Sequence, residues 1–357
     1  MNIRQPAWQA ILLTLILTPL AGCGLEQKSE TAPPSLEPTQ IEPTPTPHAL
    51  PTLEPLVKQA ELEVSRGPVY SLDWSPDGTR LASTGYKLVI IWDVQSQTEL
   101  ASLAEHTSYV WGVAWAPDGS MFASASRDGT VRLWDSASYQ ELASLPAGDA
   151  FCVDWSPDGT QLVTGTSVGR VAVWDSATGE LVQKWQATTL IISVDWSPDG
   201  SLIAAGKWNG KIILYDPAGG EEIGFLQGTT ARSDVNGLAW SPDGHILAAA
   251  QQDGRVRLWD AGNSTRLTTI QSHGGWERGI AWSPDGRLLA SGGNDGLLRI
   301  WDAATGQLLG MTRAGSSALW SVAWSPDGRS IAVGSGKYDS PDDPGLITIW
   351  ALPDIGD

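Results

Sequence analysis

"WERGIAWSPDGRLLASGGNDGLLRIWDAATGQLLGM", residues 276–311, contains four short apolar runs separated by tight-turn chemistry. After Trp282 come Ser283, Pro284, Asp285 and Gly286. Pro presets φ at the second turn position, Asp tolerates the third and Gly suits the fourth. Further on, Asp295–Gly296 stands between two alternating apolar runs, which is the strongest short signal for a hairpin. The stretch therefore reads as four strands of one antiparallel sheet, ending in Trp301–Asp302 and a last strand through Met311.

The same module recurs along the chain. "WSPDG" begins at Trp74, Trp155, Trp196, Trp240, Trp282 and Trp324, with "WAPDG" at Trp115, at intervals of 40 to 44 residues. Trp-Asp closes the third strand at Trp92–Asp93, Trp134–Asp135, Trp174–Asp175, Trp259–Asp260 and Trp301–Asp302. Tyr215–Asp216 substitutes in the fourth copy and Trp350–Ala351 in the seventh. Asp-Gly or Asn-Gly turns recur at Asp128–Gly129, Asn209–Gly210, Asp253–Gly254 and Asp295–Gly296. A fixed period of this length means a stacked or circular array of sheets, because one such unit cannot bury its apolar face alone.

Closure of the array can be argued from the ends. The seventh copy stops after its third strand, at "ITIWALPDIGD", and lacks a fourth. "KQAELEV", Lys58 to Val64, stands before the first copy where "ELASL" stands before later ones. It is expected to complete the last sheet, since an unpaired sheet edge is a site of association.

These seven copies resemble the WD-repeat (WD40) family of β-propellers over residues 58–357. The resemblance implies an all-β, seven-bladed propeller of four-stranded antiparallel blades. It also implies a hydrogen-bonded tetrad of His, Ser, Asp and Trp within a blade. Two copies carry all four members: His106, Ser124, Asp128 and Trp134, and His273, Ser291, Asp295 and Trp301. Ser, His and Asp together invite a hydrolytic triad, but in this family the set is an internal brace. The other copies lack members, with Val168 and Asn209 where Asp would stand and Ala231 where His would stand. Those blades are expected to be held by packing alone.

The residues four before each turn-motif Trp are Tyr70, Trp111, Phe151, Ile192, Asn236, Arg278 and Trp320. The resemblance places this position at the mouth of the central channel. Once the ring closes, Trp320, Tyr70, Trp111 and Phe151 would form an aromatic arc, with Trp208 and Trp276 in loops of the same face. Two readings stand open. Either these side chains face a partner, or they tuck between blades in phase with the buried residues. The seventh copy also carries an insertion, "GSGKYDSPDDPG", Gly334 to Gly345, with Asp339, Asp342 and Asp343. It is read as a solvated loop rather than an oxygen-ligand cation site, and its place on the face of the His-bearing loops makes it a candidate partner contact.

Upstream, residues 1–23 read as a signal peptide: Arg4, an apolar stretch from Ala7 to Leu20, then "LAGC" ending at Cys23. This resembles a bacterial lipoprotein signal, with Cys23 taking lipid. Residues 24–57 are rich in Pro, Thr and Glu, lack apolar periodicity and read as a disordered linker. Cys152 reads as a small packing residue. The net charge of -18 with no offsetting basic patch argues against nucleic-acid binding. Thirteen of the 40 acidic residues belong to PDG turns or to the Trp-Asp and Tyr215–Asp216 pairs that end third strands, and are expected to act locally. No His/Cys cluster of metal-ligand spacing and no phosphate loop is present, so no cofactor is expected.

The sequence thus points to a monomeric, membrane-anchored, non-catalytic scaffold in the bacterial cell envelope. The expected partner is a protein or peptide. An envelope enzyme or an accessory component of one, and a cell-wall or carbohydrate-binding propeller, are the alternatives.

Overall fold

A computed structural model describes residues 53, 55–64, 67–227, 233–338, 340, 342 and 344–353. The signal segment with Cys23, most of the linker, Ala231, Asp339 and Asp343 lie outside the described residues.

The described residues form seven sheets of four antiparallel strands. Six are consecutive hairpin sets: blade 1 spans Ser71–Leu103, blade 2 Val110–Leu145, blade 3 Ala150–Gln186, blade 4 Ile191–Gln227, blade 5 Val235–Gln271 and blade 6 Glu277–Arg313. Blade 7 is composite. Strands β26 (Leu319–Trp324), β27 (Ser330–Ser335) and β28 (Gly345–Ala351) come from the end of the chain, and β1 (Val57–Val64) completes the sheet. The β1–β28 register runs from Val57 opposite Ala351 to Val64 opposite Gly345. The innermost strand of blade 1 contacts that of blade 7, so the seven-bladed ring is closed. The propeller's packing also extends upstream of residue 58. Leu53 N–H donates to Leu309 O at 2.9 Å, and Leu56 is buried in a cluster with Leu309 and Trp350.

The repeated Trp explains how flat sheets hold together side by side. Trp74, Trp115, Trp155, Trp196, Trp240, Trp282 and Trp324 are all buried. Several also donate their indole N–H to a carbonyl of the preceding blade. Trp155 Nε1 reaches Ala114 O at 3.0 Å, Trp282 reaches Ala239 O at 2.9 Å and Trp324 reaches Ala281 O at 3.1 Å. Trp74 reaches Ala323 O at 3.2 Å, which repeats the bond across the point of closure. A large apolar body with one satisfied donor suits this position. The turn-motif acids act locally, as the sequence suggests. Asp77 accepts from Ser75 Oγ at 2.6 Å and from Thr79 N–H at 3.0 Å, while Gly78 takes φ of 70°.

Candidate functional site

The first strands of six blades share an irregularity. In blade 2, Val110 pairs with Ser126 and Gly112 with Ala125, so Trp111 is an extra residue in a β-bulge. The same shift leaves Phe151, Ile192, Asn236, Arg278 and Trp320 as the extra residues of blades 3, 4, 5, 6 and 7. A bulge bends the strand and re-aims a side chain. Strict alternation would have put Trp111 in phase with Val113 and Trp115, between blades. The bulge takes it out of that phase.

The result is a bowl at the mouth of the channel. It has a volume of about 460 Å³ and is lined by Tyr70, Trp111, Phe151, Leu190, Ile192, Trp208, Asp234, Asn236, Trp276, Arg278, Asn294, Trp320 and Tyr338. All seven residues singled out from the sequence as partner-binding lie on this wall. Their rings touch in series. Trp111 stacks on Phe151 at 5.4 Å, Tyr70 packs on Trp111 at 4.2 Å, and Trp320 meets Tyr70 edge-on at 5.1 Å. Tyr70 is buried beneath its neighbours, whereas Trp111, Phe151 and Trp320 are half-buried. Trp208 and Trp276 stand out at the rim, 46% and 41% exposed.

Arg278 supplies the only cation among the residues lining this bowl. Its guanidinium lies 3.7 Å from the Trp320 ring and 5.0 Å from the Trp276 ring, and its Nε donates to Asn294 Oδ1 at 2.8 Å. Among the described residues no carboxylate is bonded to it. Burial pulls its pKa down to about 10.

Tyr338 extends the aromatic series beyond the sequence reading. It lies in the blade 7 insertion, 64% exposed, and stacks on Trp320 at 5.5 Å. The indole N–H of Trp320 donates to Gly336 O at 2.8 Å, tying the insertion to the bowl. Two of the insertion's three acids lie outside the described residues, so its cation reading has no geometry to rest on.

Glu277, next to Arg278, is another residue that the sequence reading passes over. It is fully buried where the other blades carry Val69, Val110, Ala150, Ile191, Val235 and Leu319. Burial pushes its carboxyl well above the usual range, and Ser272 Oγ donates to it.

The far part of the channel is different. Asp73, Asp154 and Asp195 line it together with alanines. Each carboxylate accepts the backbone N–H of the next blade's turn-motif Trp: Asp73 from Trp115 at 2.6 Å, Asp154 from Trp196 at 2.7 Å and Asp195 from Trp240 at 2.6 Å. These are clamps between blades. Desolvation, with the nearby Asp154 charge adding to it, raises the Asp73 carboxyl to about 7 against the Trp115 hydrogen bond. Asp154 and Asp195 are likewise raised by desolvation. Their signal in the sequence is an Asp immediately before Trp in copies 1, 3 and 4 only.

The two tetrads are continuous chains of hydrogen bonds. His106 Nδ1 lies 2.8 Å from Asp128 Oδ2, His106 Nε2 lies 2.8 Å from Ser124 Oγ, and Trp134 Nε1 donates to Ser124 Oγ at 2.8 Å. In blade 6 the corresponding distances from His273 to Asp295 and Ser291, and from Trp301 to Ser291, are 2.9, 3.0 and 3.0 Å. Ser124 and Ser291 are fully buried, so neither hydroxyl reaches a substrate. Blades 1, 3, 5 and 7 are not held by packing alone, contrary to the sequence expectation. Trp92 Nε1 donates to Ser83 Oγ at 2.9 Å, Trp174 to Thr164 Oγ1 at 3.0 Å and Trp350 to Thr348 Oγ1 at 2.9 Å. In blade 5 the buried Arg257 makes a different brace, donating to Asp253 Oδ2 at 2.6 Å and to Gln251. A buried Trp N–H needs an acceptor, and a hydroxyl alone provides one. Cys152 is a free thiol raised by burial, consistent with packing rather than reactivity.

Residues 68–339 match the family model described as IFT122 first beta-propeller. Among curated proteins, 72 residues are 42% identical to Coronin-7 of Rattus norvegicus, covering 20% of this chain and 8% of that protein. A stretch of 76 residues is 38% identical to small ribosomal subunit protein RACK1 of Neurospora crassa, 21% of this chain and 24% of that one. A stretch of 68 residues is 38% identical to the intraflagellar transport protein 122 homolog of Xenopus tropicalis, 19% of this chain and 6% of that one. The match therefore spans less than a quarter of the length of each of these curated relatives.

Proposed function

We propose a function from one premise: this chain belongs to the WD-repeat propeller family described as IFT122 first beta-propeller. The molecule is a non-catalytic scaffold that receives a protein or peptide partner in the bowl at the channel mouth. One observation carries this reading. Side chains re-aimed by β-bulges in successive blades converge with rim tryptophans on a single open cavity. Structural demands on the ring do not account for them, because the turn-motif Trp and the polar braces already hold the blades. Clustered Trp, Tyr and Arg are the residues that dominate binding energy at interfaces.

"LAGC", Leu20 to Cys23, supports tethering of the scaffold outside the cytoplasmic membrane through lipid on Cys23. Cys23→Ser should abolish incorporation of labelled palmitate and release the chain into the soluble fraction. Continued incorporation would contradict the anchor.

The partner site is tested with the double variant Trp111→Ala/Trp320→Ala. It should lose capture of its envelope partner by about tenfold or more, the effect of removing hot-spot aromatics. Its circular dichroism should stay that of the parent. Unchanged capture would contradict the assignment of the bowl.

A further inference from the structure

The reading of the bowl as a partner site leaves open what kind of group enters it, and the inference here rests on that reading. We propose that the bowl selects a free carboxylate borne on an apolar or aromatic body, and that its natural occupant is the C-terminal end of a peptide. Arg278 marks the place. It lines both the bowl and the stretch of channel beneath, and its guanidinium is held within the bowl against Trp320 and the rim residue Trp276. One guanidinium edge is held by Asn294 Oδ1, and the plane is held against Trp320. The two Nη groups have no acceptor among the described residues. A guanidinium held against a ring, with unused donors and no counter-ion among the described residues, is a preorganised fork for a carboxylate.

The surroundings narrow the choice. The bowl offers one cation, and Asp234 also lines it, in a chain of net charge -18. A dianion such as phosphate would be poorly compensated there, whereas a monoanion matches the single charge. Below Arg278 the channel meets Asp73, Asp154 and Asp195. The volume of about 460 Å³ falls within the range of about 300–1,000 Å³ found for pockets that engulf small ligands. It suits a peptide end better than the face of a folded domain. The aromatic wall from Phe151 to Trp320 then packs on the apolar body next to the carboxylate.

The test is calorimetric titration of the full chain with four probes. They are acetyl-Ala-Ala-Pro-Phe with a free carboxylate, the same peptide as its C-terminal amide, acetyl-Ala-Glu-Pro-Phe amide, and methyl glucuronide. The free acid should bind at least about tenfold more tightly than the amide, the factor one charge-assisted pair supplies. Arg278→Gln should erase that difference. Asn294→Asp should erase it too, by giving Arg278 a built-in carboxylate while keeping the guanidinium in place. Circular dichroism of both variants should match the parent. Equal binding of acid and amide overturns the proposal. So does stronger binding of the internal-Glu peptide or the glucuronide, or no binding of any probe at millimolar concentration. If envelope capture still depends on Trp111 and Trp320 in those cases, the partner site survives and only the carboxylate selection fails. If capture is indifferent to both residues, the reading of the bowl itself fails.

Discussion

Tyr70 and Asp73 lie three residues apart at the inner edge of blade 1, and the channel changes character between them. At the level of Tyr70 the successive blades contribute Trp111, Phe151, Ile192, Asn236, Arg278 and Trp320. At the level of Asp73 they contribute Ala114, Asp154, Asp195, Ala239, Ala281 and Ala323. The mouth gathers large side chains whose rings pack on one another across blades and leave a cavity. The far level gathers small side chains, together with carboxylates that accept the backbone N–H of the next blade. One strand therefore separates recognition from ring cohesion within three positions. In blades 2 to 7 the bulge at the mouth position is the device, since it frees that residue from the phase that fixes the rest.

The harshest way to break this comparison is to open the ring. Deleting Val57–Val64 exposes β28 and removes the partner strand of blade 7, so both levels should be lost together. The expected result is loss of the cooperative thermal transition and association through the bare edge. A monomer with an unchanged transition would contradict the role of β1.

A milder break acts on cohesion alone. His106→Ala should cost about 2–4 kcal/mol, because it leaves the buried Ser124 and Asp128 without their shared partner. The tetrad also has a characteristic pH dependence. Burial opposes ionisation of Asp128, yet hydrogen bonds from Thr130, Thr107 N–H and His106 outweigh it and hold its carboxyl at about 2. Burial keeps His106 neutral by lowering its pKa, against the pull of Asp128. Both groups bind protons less readily in the folded state, so their contribution is lost as pH falls from about 7 towards 2. Denaturant midpoints measured across that range should show a steeper acid loss in the parent than in His106→Ala.

The far level should behave oppositely, which sharpens the contrast. Asp73 has a folded pKa of about 7 against an ordinary value of 3.8. The folded state holds the proton more tightly, so this stability is present in acid and is lost as pH rises from about 4 to about 7. Asp73→Asn keeps an acceptor for Trp115 N–H without the charge. It should stabilise the chain at pH 8 by about 1–2 kcal/mol, allowing for partial solvent screening, and change little at pH 4. A variant that is less stable at pH 8 would contradict a desolvation cost on this carboxylate. Partner capture should be unaffected by this change at the far level.

Much of the fold was legible because turn chemistry and period are local properties. Trp-Ser-Pro-Asp-Gly and Asp-Gly mark the hairpins, and the missing last strand pointed to Lys58–Val64. Features that depend on contact between distant segments were less legible. Tyr338 belongs to the bowl only because its insertion folds back onto Trp320. Arg257 shares its strand position with Arg132 and Arg299, yet it alone of the three is buried. Its burial goes with Gln251, which accepts from it where the other two copies carry Ser126 and Gly293, and with Asp253. Leu53 and Leu56 sit in a Pro-rich stretch whose composition hides their packing on blades 6 and 7. The Asp before Trp in three copies was visible as a pattern. Its meaning required knowing that this position faces the next blade's backbone.

The most direct test of the central claim is to ask which surface touches the partner. Photo-reactive benzoylphenylalanine is placed at the rim, at Trp208 or Trp276, and separately on the outer strands, at Leu142 or Ile223, which are 54% and 57% exposed. After illumination in envelope extract, adducts are read by mass. The account predicts a common adduct from both rim positions and none from the outer strands. An adduct from Leu142 or Ile223, with the rim positions silent, would contradict it.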